Sequence, residues 1–400
     1  MIRIAALNTC FNGSTGRIML GIAKTTKDNQ FEYKCFAPKS KNNPKIDEKT
    51  QVYFGTYLET ALCTRLAKIT GLNGCFSYFN TFALIRLLNK YKPDIIHLHN
   101  LHDCYINFPI LFRYLGKRKI KIVWTLHDCW SFTGGCTYYL ASECKKWLTD
   151  CKKCPGYSYP CGNKKRSSYI LNLKRKYISF IDNLTVVSPS KWLENEAKFS
   201  FLKKYEIITI NNGIDIEKFF RKQNSLRDFY LIKNKFVLLG VASPWNYRKG
   251  IDLIIELSKK INNDLFVIIL VGTDEALSES LPSNIISVKK TNSLDELVDL
   301  YSIADVLINP TREDNFPTVN IEALACGVPV ITFNSGGSAE AIDKKTGIVT
   351  KEKTVEALYY SILEIYNNPL KREDCVYKSK EYDSLEAFKK YTSLYKKISR

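Results

Sequence analysis

Short runs of apolar, β-branched residues alternate with segments of helical period along most of the 400-residue sequence. The runs are almost continuously apolar, as in "LFVIILVG", and Gly, Pro or Asn bounds them. Strands of a parallel sheet have this character because helices cover both faces of the sheet. The sequence therefore predicts an α/β fold with doubly wound parallel sheets. The predicted strands are 2–8, 94–99, 121–127, 183–190, 235–243, 265–272, 304–310 and 328–333.

The alternation occurs twice, and a chain of 400 residues suits two domains better than one. Turn-forming residues at 211–213 place the boundary, so the predicted domains are 1–211 and 212–382. A Cys-rich insert at about 134–162 belongs to the first domain. The last segment, 383–400, has apolar residues at helical spacing and predicts a helix that packs back on the N-terminal domain.

The formal net charge of +19 lies in one half of the chain. Residues 1–211 contain 33 Lys and Arg against 14 Asp and Glu, whereas 212–400 contain 26 of each. Such an excess attracts anionic lipid, lipid-linked phosphate or nucleic acid, although solubility alone would also explain it. Apolar runs are too short to span a bilayer and the N-terminus does not read as a signal peptide, so we expect a cytoplasmic protein.

Two carboxylates follow the predicted strand 304–310. Asp314 lies in the loop after the strand, and Glu322 lies one turn into a helix predicted to begin near Thr318. Ligands bind at the carboxyl ends of strands in such sheets, and a helix start favours phosphate. Carboxylates beside that site are suited to accept hydrogen bonds from the hydroxyl groups of a ribose and a second sugar. The alternative is a solvated loop with an ordinary helix N-terminal charge.

The pair Asp314 and Glu322, followed by "EALACGVPVITFNSGG", resembles the signature of the family-4 retaining glycosyltransferases, which have the GT-B fold. Segments 210–219, 248–256 and 296–311 match other motifs of that family in the same order. Four N-terminal segments resemble a bacterial branch that builds colanic-acid-like surface polysaccharides: 13–18, 93–102, 125–136 and 186–193. The resemblance implies two Rossmann-like domains that face each other across a cleft.

The resemblance also implies roles for individual residues. Glu322 would bind the donor ribose, Asp314 would contact the transferred sugar, and Lys249 would bind the diphosphate and stabilise the leaving group. Arg248 is the nearest substitute for a family Arg, since Ala242 and Ser243 occupy the usual region. Here Asp314 replaces the usual Glu and "NFP" replaces a Gly-Phe-Gly type loop, so sugar specificity does not carry over. The implied donor-binding residues are Gly16, Asn315, Phe316, Pro317, Thr318 and Glu322.

The N-terminal half supplies the expected acceptor side. The stretch "NGSTGR" follows the first strand and opens a helix, so Gly13 allows close backbone approach and Arg17 faces an anion, unless the segment is a plain tight turn. His127 ends a predicted strand and matches the family's active-site His. The resemblance implies that it contacts the donor sugar or the reacting centre, with Asp128 as its neighbour.

Two groups of residues have metal-like spacing. The first group is His97, His99 and His102. We favour the interpretation that these histidines are buried and hydrogen-bonded in the core. The cysteines predict either a structural zinc site or free thiols with a redox pair in the Cys-x-x-Cys segment. The candidate zinc ligands are Cys136, Cys144, Cys151 and Cys154, with Cys161 further along the chain.

A basic helix is predicted at 164–181, with Tyr169, Leu173, Tyr177 and Phe180 on one face. This face either lies on an anionic membrane or packs on the domain.

We therefore expect a retaining glycosyltransferase that moves a sugar from a nucleotide diphosphate-sugar to a lipid-linked or oligosaccharide acceptor. Its chemistry would need no cofactor or metal, and it would lie peripherally at the inner face of the cell membrane. The alternatives are a nucleic-acid- or glycan-binding protein on a transferase-like fold without turnover, and a glucan or sucrose-type synthase. We expect no nucleic-acid partner.

Overall fold

The computed structural model describes residues 1–26, 30–155 and 162–399, which belong to two compact units. Unit 1 comprises Met1–Asn211 together with Ala387–Arg400, and unit 2 comprises Asn212–Glu386. No helix within the described residues is long and apolar enough to cross a membrane.

Unit 1 is built on a seven-stranded sheet in the order β3-β2-β1-β4-β5-β6-β7, and every pair is parallel. The strands are β1 (Ile2–Leu7), β2 (Phe31–Pro38), β3 (Gln51–Phe54), β4 (Ile95–Leu98), β5 (Lys121–Thr125), β6 (Leu184–Ser188) and β7 (Glu206–Thr209). The strand order reverses between β1 and β4, so the carboxyl ends of these two strands flank the switch point where such sheets bind ligands.

Helices cover both faces of this sheet. They are α1 (Gly13–Thr25), α2 (Tyr57–Thr70), α3 (Tyr78–Tyr91), α4 (Phe108–Arg118), α5 (Ser167–Ile178), α6 (Lys191–Phe199) and the C-terminal α14 (Ser384–Ser399). Alternate residues of β1 enter separate cores, with Ala5 and Leu7 on one side and Ile4 and Ala6 on the other. The buried residues Tyr391, Leu394 and Tyr395 of α14 belong to the second of these cores.

Unit 2 repeats the architecture with six parallel strands in the order β10-β9-β8-β11-β12-β13. The strands are β8 (Phe236–Val241), β9 (Phe266–Thr273), β10 (Ile285–Lys289), β11 (Val306–Asn309), β12 (Val330–Phe333) and β13 (Gly347–Thr350). The helices are α7 (Leu226–Phe229), α8 (Ile251–Lys260), α9 (Glu275–Ser280), α10 (Leu294–Ile303), α11 (Thr318–Ala325), α12 (Val355–Asn367) and α13 (Arg372–Ser379). The switch point lies between β8 and β11.

The predicted apolar face of the 164–181 helix is only in part its core face: Leu173 and Tyr177 pack against the core, and Phe180 is 45% exposed. Helix α5 buries Ile170, Leu171, Lys174 and Ile178, whereas Tyr169 is half exposed. Lys174 is therefore fully buried although it lies in a helix rich in basic residues.

Candidate functional site

Three loops meet at the carboxyl edge of the unit 2 sheet, beside its switch point. They follow β8, β11 and β12, and they are held together by backbone contacts. The amide of Arg312 donates to the carbonyl of Arg248 at 2.8 Å, and the amide of Gly337 donates to the carbonyl of Asp314 at 2.9 Å. Gly250 has a left-handed φ of +76°, and a Cβ there would lie 2.3 Å from the carbonyl oxygen of Pro310. Only glycine allows these loops to approach so closely.

Side chains reinforce the same junction. The guanidinium of Arg312 lies 3.9 Å from the ring centre of Tyr247 and makes two hydrogen bonds to Asp252, at 2.7 and 2.6 Å. A bidentate pair of this kind fixes orientation as well as position. The junction therefore holds its neighbours Arg248 and Lys249 in a defined place.

Lys249 and Arg248 both face the carboxylate of Asp314. The Nζ atom of Lys249 lies 2.5 Å from Oδ2 of Asp314, and an Arg248 nitrogen lies 3.9 Å from the same oxygen. The side chains of Lys249 and Asp314 are only 16% and 15% exposed. Arg248 also donates to the backbone carbonyl of Glu313 at 2.8 Å. Two cations thus flank the carboxylate of Asp314, and both are of the kind that binds an anionic ligand.

Glu322 lies on α11, the helix that follows the loop carrying Asp314. Tyr301 of α10 donates its hydroxyl hydrogen to Oε2 of Glu322 at 2.9 Å. Burial, assisted by the nearby Glu322 carboxylate, holds the pKa of Tyr301 well above its ordinary value, so the phenol stays protonated as the donor. One carboxylate oxygen is thereby positioned, and the partly exposed side chain can accept further bonds from a ligand.

Side-chain hydrogen bonds of Asn320 hold the start of α11 to β11 and to the loop after β12. Asn320 accepts a hydrogen bond from Asn309 of β11 at 2.8 Å and donates to the carbonyl of Ser338 at 2.9 Å. Helix α11 begins at Thr318, and no side chain caps the amides of its first turn. Amides at a helix start attract phosphate because they carry the positive end of the helix dipole.

The loop residues before α11 have mainly structural contacts. Phe316 is buried, with its ring centre 5.5 Å from that of Tyr382, and Asn315 is also buried. Pro317 is the residue that precedes the first turn of the helix. If these residues meet a donor, they do so through their backbone, as the family resemblance implies.

At the corresponding edge of unit 1, His127 is paired with His99. The Nδ1 atom of His99 lies 2.9 Å from Nε2 of His127, and the rings are stacked with 13° between their planes. Burial lowers the pKa of both imidazoles, that of His127 to about 4. Both rings are therefore neutral near pH 7, so one donates and the other accepts across this contact.

Asp128 is paired with His102, which is charged. Burial lowers the pKa of His102, but the carboxylate of Asp128 and hydrogen bonds to Asp103 and Asp128 outweigh it and raise the pKa to about 10. The two ring nitrogens lie 2.9 Å from Asp103 and 3.0 Å from Asp128. Asp128 also accepts the amide hydrogen of Trp130 at 2.8 Å. This network holds the loop that follows His127.

His97 has a core role, as the sequence pattern favours. Its ring is fully buried and lies within hydrogen-bonding distance of Tyr395 at 2.6 Å and of Thr125 at 2.8 Å. Burial lowers its pKa to about 3, so it is neutral.

The glycine loop after β1 has two kinds of glycine. Gly13 has φ of +76° and is exposed, with no atom within 4 Å of a Cβ built there. At Gly16, a Cβ would lie 2.5 Å from the carbonyl carbon of Phe11, so the turn itself requires this glycine. Arg17 is exposed on α1, whose start carries no side-chain cap. Contacts of these residues with a donor or acceptor stay predictions.

The four predicted zinc ligands, Cys136, Cys144, Cys151 and Cys154, line one small pocket of unit 1. Burial raises the pKa of Cys136 to about 12 and that of Cys151 to about 11, so without a metal these thiols are protonated. Within the described ranges, no group of three or more His, Cys, Asp or Glu residues is arranged to hold a metal ion. Cys161 lies outside the described residues. The zinc site stays a prediction.

The contacts of Lys174 could not be predicted from the sequence. Its ammonium donates to the carbonyl oxygens of Trp130 and Thr133, the latter at 3.1 Å, and lies 3.5 Å from the ring centre of Trp130. Burial lowers its pKa to about 7. Lys174 thus ties α5 to the loop that carries Asp128. Tyr301 and the pairing of His99 with His127 were missed as well, because each joins residues that are distant in sequence.

The two units define a glycosyltransferase of the GT-B fold, and the comparisons with known proteins identify the family. Residues 16–218 match the description "Glycosyltransferase Family 4", and residues 222–382 match "Glycosyl transferases group 1". The first match covers half of the chain, and the chain belongs to glycosyltransferase family 4.

Several known proteins are similar to this chain. A protein of Escherichia coli (strain K12) named as the colanic acid biosynthesis glycosyl transferase WcaC is 28% identical over 289 residues, which is 68% of each chain. Sucrose-phosphate synthase from Thermosynechococcus elongatus has a TM-score of 0.75 at 16% identity. The match covers 100% of this chain and 99% of the synthase chain. HepE of Anabaena, solved in complex with UDP-glucose, has a TM-score of 0.62 at 15% identity. The match covers 99% of this chain and 100% of the HepE chain. At these identities, the two structures support the fold alone.

Proposed function

We propose that this chain is a retaining glycosyltransferase that transfers a sugar from a nucleotide diphosphate-sugar to a lipid-linked glycan during the synthesis of a bacterial surface polysaccharide. The observation that carries the proposal is the group at the unit 2 switch point: Lys249 and Arg248 beside Asp314, and Glu322 on the helix that follows. The name of the WcaC relative supports the pathway, and the UDP-glucose bound to HepE supports the class of donor.

The donor diphosphate would bind Lys249, Arg248 and the first amides of α11. In the structure Lys249 is paired with Asp314, so a diphosphate would compete for this cation. Asp314 would then be available to accept hydrogen bonds from the hydroxyl groups of the sugar. Glu322, positioned by Tyr301, would accept bonds from the ribose. Each group thus has one part of a sugar nucleotide to recognise.

The proposed reaction takes place on one face of the sugar. The bond between the anomeric carbon and the phosphate oxygen breaks, and the acceptor hydroxyl oxygen forms a bond to the same carbon from the same side. The acceptor proton passes to a phosphate oxygen of the departing nucleoside diphosphate. Lys249 and the helix amides stabilise the charge that grows on this leaving group. This scheme needs neither a protein base nor a metal ion.

Unit 1 would bind the acceptor. Its excess of basic residues suits a lipid-linked diphosphate, and we propose that the chain lies peripherally on the inner face of the cell membrane. Within unit 1, His127 is the group proposed to face the reacting atoms, with His99 fixing its orientation and Asp128 holding the adjoining loop.

A panel of nucleotide diphosphate-sugars tests the donor site. Thermal unfolding is measured with each compound, with the matching nucleoside monophosphates as controls. We expect one or two diphosphate-sugars to raise the unfolding temperature of wild-type protein and not of the Glu322→Ala variant. Glu364→Ala, on the distant surface of α12, serves as the matched control. Equal stabilisation of wild type and Glu322→Ala would contradict the assignment.

The configuration of the product tests the mechanism. With the donor identified, proton NMR of the first-formed product should show the same anomeric configuration as the donor. Turnover in the presence of a chelator should equal turnover without it. An inverted product would refute the retaining mechanism, and loss of turnover that Mg²⁺ or Mn²⁺ restores would refute metal independence.

A glycan-binding protein without turnover is the other candidate, and the comparisons do not favour it. Slow hydrolysis of the donor in the absence of acceptor separates the two, because a binding protein would leave the nucleotide sugar intact.

A further inference from the structure

Large apolar side chains are exposed on two helices of unit 1, α2 and α3. On α2, Leu58 is 79% exposed, Leu62 is 57% exposed and Ile69 is 75% exposed. Together with exposed Arg65 they recur at i, i+4, i+7 and i+11, which places them in one stripe along the helix. Leaving such side chains in water is unfavourable, and a stripe of them marks an interaction surface more often than chance exposure.

Helix α3 carries a second stripe of the same kind. Phe79 is 82% exposed and Phe82 is 56% exposed, and exposed Arg86 follows at the next turn. The opposite side of α3 is buried through Leu84 and Leu88, which pack in the core. The exposed phenylalanines are therefore not needed to hold α3 in the fold.

Hydrogen bonds join the starts of the two helices. The carboxylate of Glu59 accepts the amide hydrogens of Phe79 and Asn80, at 2.9 and 2.8 Å. The side chain of Asn80 accepts the amide hydrogen of Thr56 at 2.7 Å. These bonds place the first turns of the two helices, which carry Leu58 and Phe79, side by side at the surface.

The charges on these helices are almost all positive. Arg65, Lys68, Arg86 and Lys90 are exposed, whereas the single carboxylate, Glu59, is bound to two backbone amides. An apolar end with cations along the helices matches the interface of an anionic bilayer, where apolar side chains enter the headgroup region and cations bind lipid phosphates. Helix α5, which the sequence suggested for this role, has Leu173 and Tyr177 packed against the core instead.

We infer that α2 and α3 form the surface by which this chain docks on an anionic membrane, with Leu58, Phe79 and Phe82 inserted among the headgroups. The inference deepens the proposed function, since it rests on a lipid-linked acceptor for its biological purpose. Its physical test does not depend on sugar transfer.

Sedimentation with lipid vesicles tests the surface. Full-length protein is mixed with phosphatidylcholine vesicles that contain about 30% phosphatidylglycerol, and with phosphatidylcholine alone. We expect wild type to bind the anionic vesicles, and the triple variant Leu58→Ser, Phe79→Ser, Phe82→Ser to bind at least about tenfold more weakly. Arg65→Gln with Arg86→Gln should weaken binding at low salt and remove much of its salt dependence.

A second triple variant is the matched control. Tyr169→Ser, Phe180→Ser and Phe199→Ser remove three exposed aromatic side chains from other helices or helix ends of unit 1, where they are 50%, 45% and 70% exposed. This variant should bind vesicles like wild type. Thermal unfolding of both triple variants confirms that they are folded, because all six side chains lie at the surface.

Three results would overturn the inference. The first is no binding of wild type to anionic vesicles at any salt concentration, the second is a loss of binding in the control variant equal to that in the α2/α3 variant, and the third is full binding by the α2/α3 variant. Analytical ultracentrifugation adds a fourth: if the α2/α3 changes dissociate a dimer and leave vesicle binding intact, the surface binds a second copy of the chain. Binding of the sugar nucleotide is measured in parallel, so that failure of the proposed function is seen separately.

Discussion

The two units use the same sheet architecture and place different side chains at its edge. In unit 2, the loops after β8 and β11 bring Lys249 and Arg248 against Asp314, so the edge is charged. In unit 1, the ends of β4 and β5 bring two neutral imidazoles together, His99 and His127, and the charged pair of His102 and Asp128 lies in the loops beside them. The difference follows from the partners of each group: burial lowers the pKa of His99 and His127, whose rings contact each other, whereas the cations of unit 2 face the carboxylate of Asp314.

In both units the edge of the sheet determines where the site lies, and the loops provide its functional side chains. A charged edge is suited to hold a diphosphate. A neutral, hydrogen-bonded pair is suited to orient a hydroxyl group without repelling or trapping it. The following experiments test whether the two edges differ in this way.

The largest expected effect concerns the cysteine pocket of unit 1, which unit 2 lacks among the residues described. If Cys136, Cys144, Cys151 and Cys154 bind zinc, which is one of the two alternatives that their spacing leaves open, protein purified without chelator should contain about one zinc ion per chain. Removal of the metal should then lower the stability of unit 1 by several kcal/mol, on the order of 5. Elemental analysis with thermal unfolding checks this. Absence of zinc, with thiols that titrate freely, would show that the pocket holds ordinary buried cysteines.

The next effect compares two glycines with the same backbone angle. Gly250 and Gly13 both have φ of +76°, but only at Gly250 would a Cβ meet another atom, the carbonyl oxygen of Pro310 at 2.3 Å. We expect Gly250→Ala to lower the free energy of unfolding by about 2–4 kcal/mol, and Gly13→Ala by about 1 kcal/mol. Denaturant unfolding measures both. Equal losses would mean that the loop junction of unit 2 is not tightly packed.

The cation pair of unit 2 gives the third prediction. Lys249→Met should weaken donor binding about 100-fold, because it removes a cation from the diphosphate site. Arg248→Met should weaken it less, by about tenfold, since Arg248 lies farther from Asp314 and also binds a backbone carbonyl. Isothermal titration with the donor found in the panel gives both values. Lys259→Met, in the last turn of α8, is the control and should leave affinity unchanged.

Much of this organisation could be predicted from the sequence, and the reasons are visible in particular elements. Strands such as β9 and β12 are continuously apolar because they are buried on both faces, so they stand out in the sequence. Strand β2 does not, because Glu32 and Lys34 alternate with buried residues along it. Helix α2 was missed because its exposed apolar stripe obscures the usual amphipathic pattern.

The site was predictable only in part, because sequence gives the ends of strands and not the partners across them. Asp314, Glu322 and His127 could be named from their places after predicted strands. The contact of Tyr301 with Glu322 joins two helices, and the burial of Lys174 depends on two carbonyl oxygens of a distant loop. Helical spacing alone carries no information about such partners.

The charged histidine of unit 1 predicts a dependence on pH. The pKa of His102 is 6.5 in an unfolded chain and about 10 in the folded one. Its contribution to stability is therefore complete below about pH 6.5 and lost as the pH rises towards 10. We expect the difference in unfolding free energy between wild type and His102→Gln to fall by roughly 4 kcal/mol over this range. Denaturant unfolding at pH 6 and pH 9.5, paired for the two proteins, measures the change; a constant difference would mean that His102 is not charged in the fold.

The smallest expected effect is on turnover alone. It concerns the neutral pair of His99 and His127. Because the Nδ1 atom of His99 contacts Nε2 of His127, the tautomers of the two rings are coupled, and a change at His99 alters which nitrogen of His127 carries the proton. Asparagine can place a polar atom where Nδ1 lies, whereas leucine cannot. His99→Leu should therefore lower kcat by about tenfold with little change in KM for the donor, and His99→Asn should retain most of the activity.

A purely structural role for His99 would give a different pattern. Loss of packing would affect His99→Leu and His99→Asn according to their stability, and it would not separate kcat from KM. The corresponding change at His97, which lies deeper in β4 and contacts Tyr395 and Thr125, serves as the comparison. His97→Asn should lower stability and leave kcat of the folded protein near the wild-type value. If His97→Asn and His99→Asn behave alike in both measurements, the edge of unit 1 is a packed end of the sheet and the contrast between the two units does not extend to catalysis.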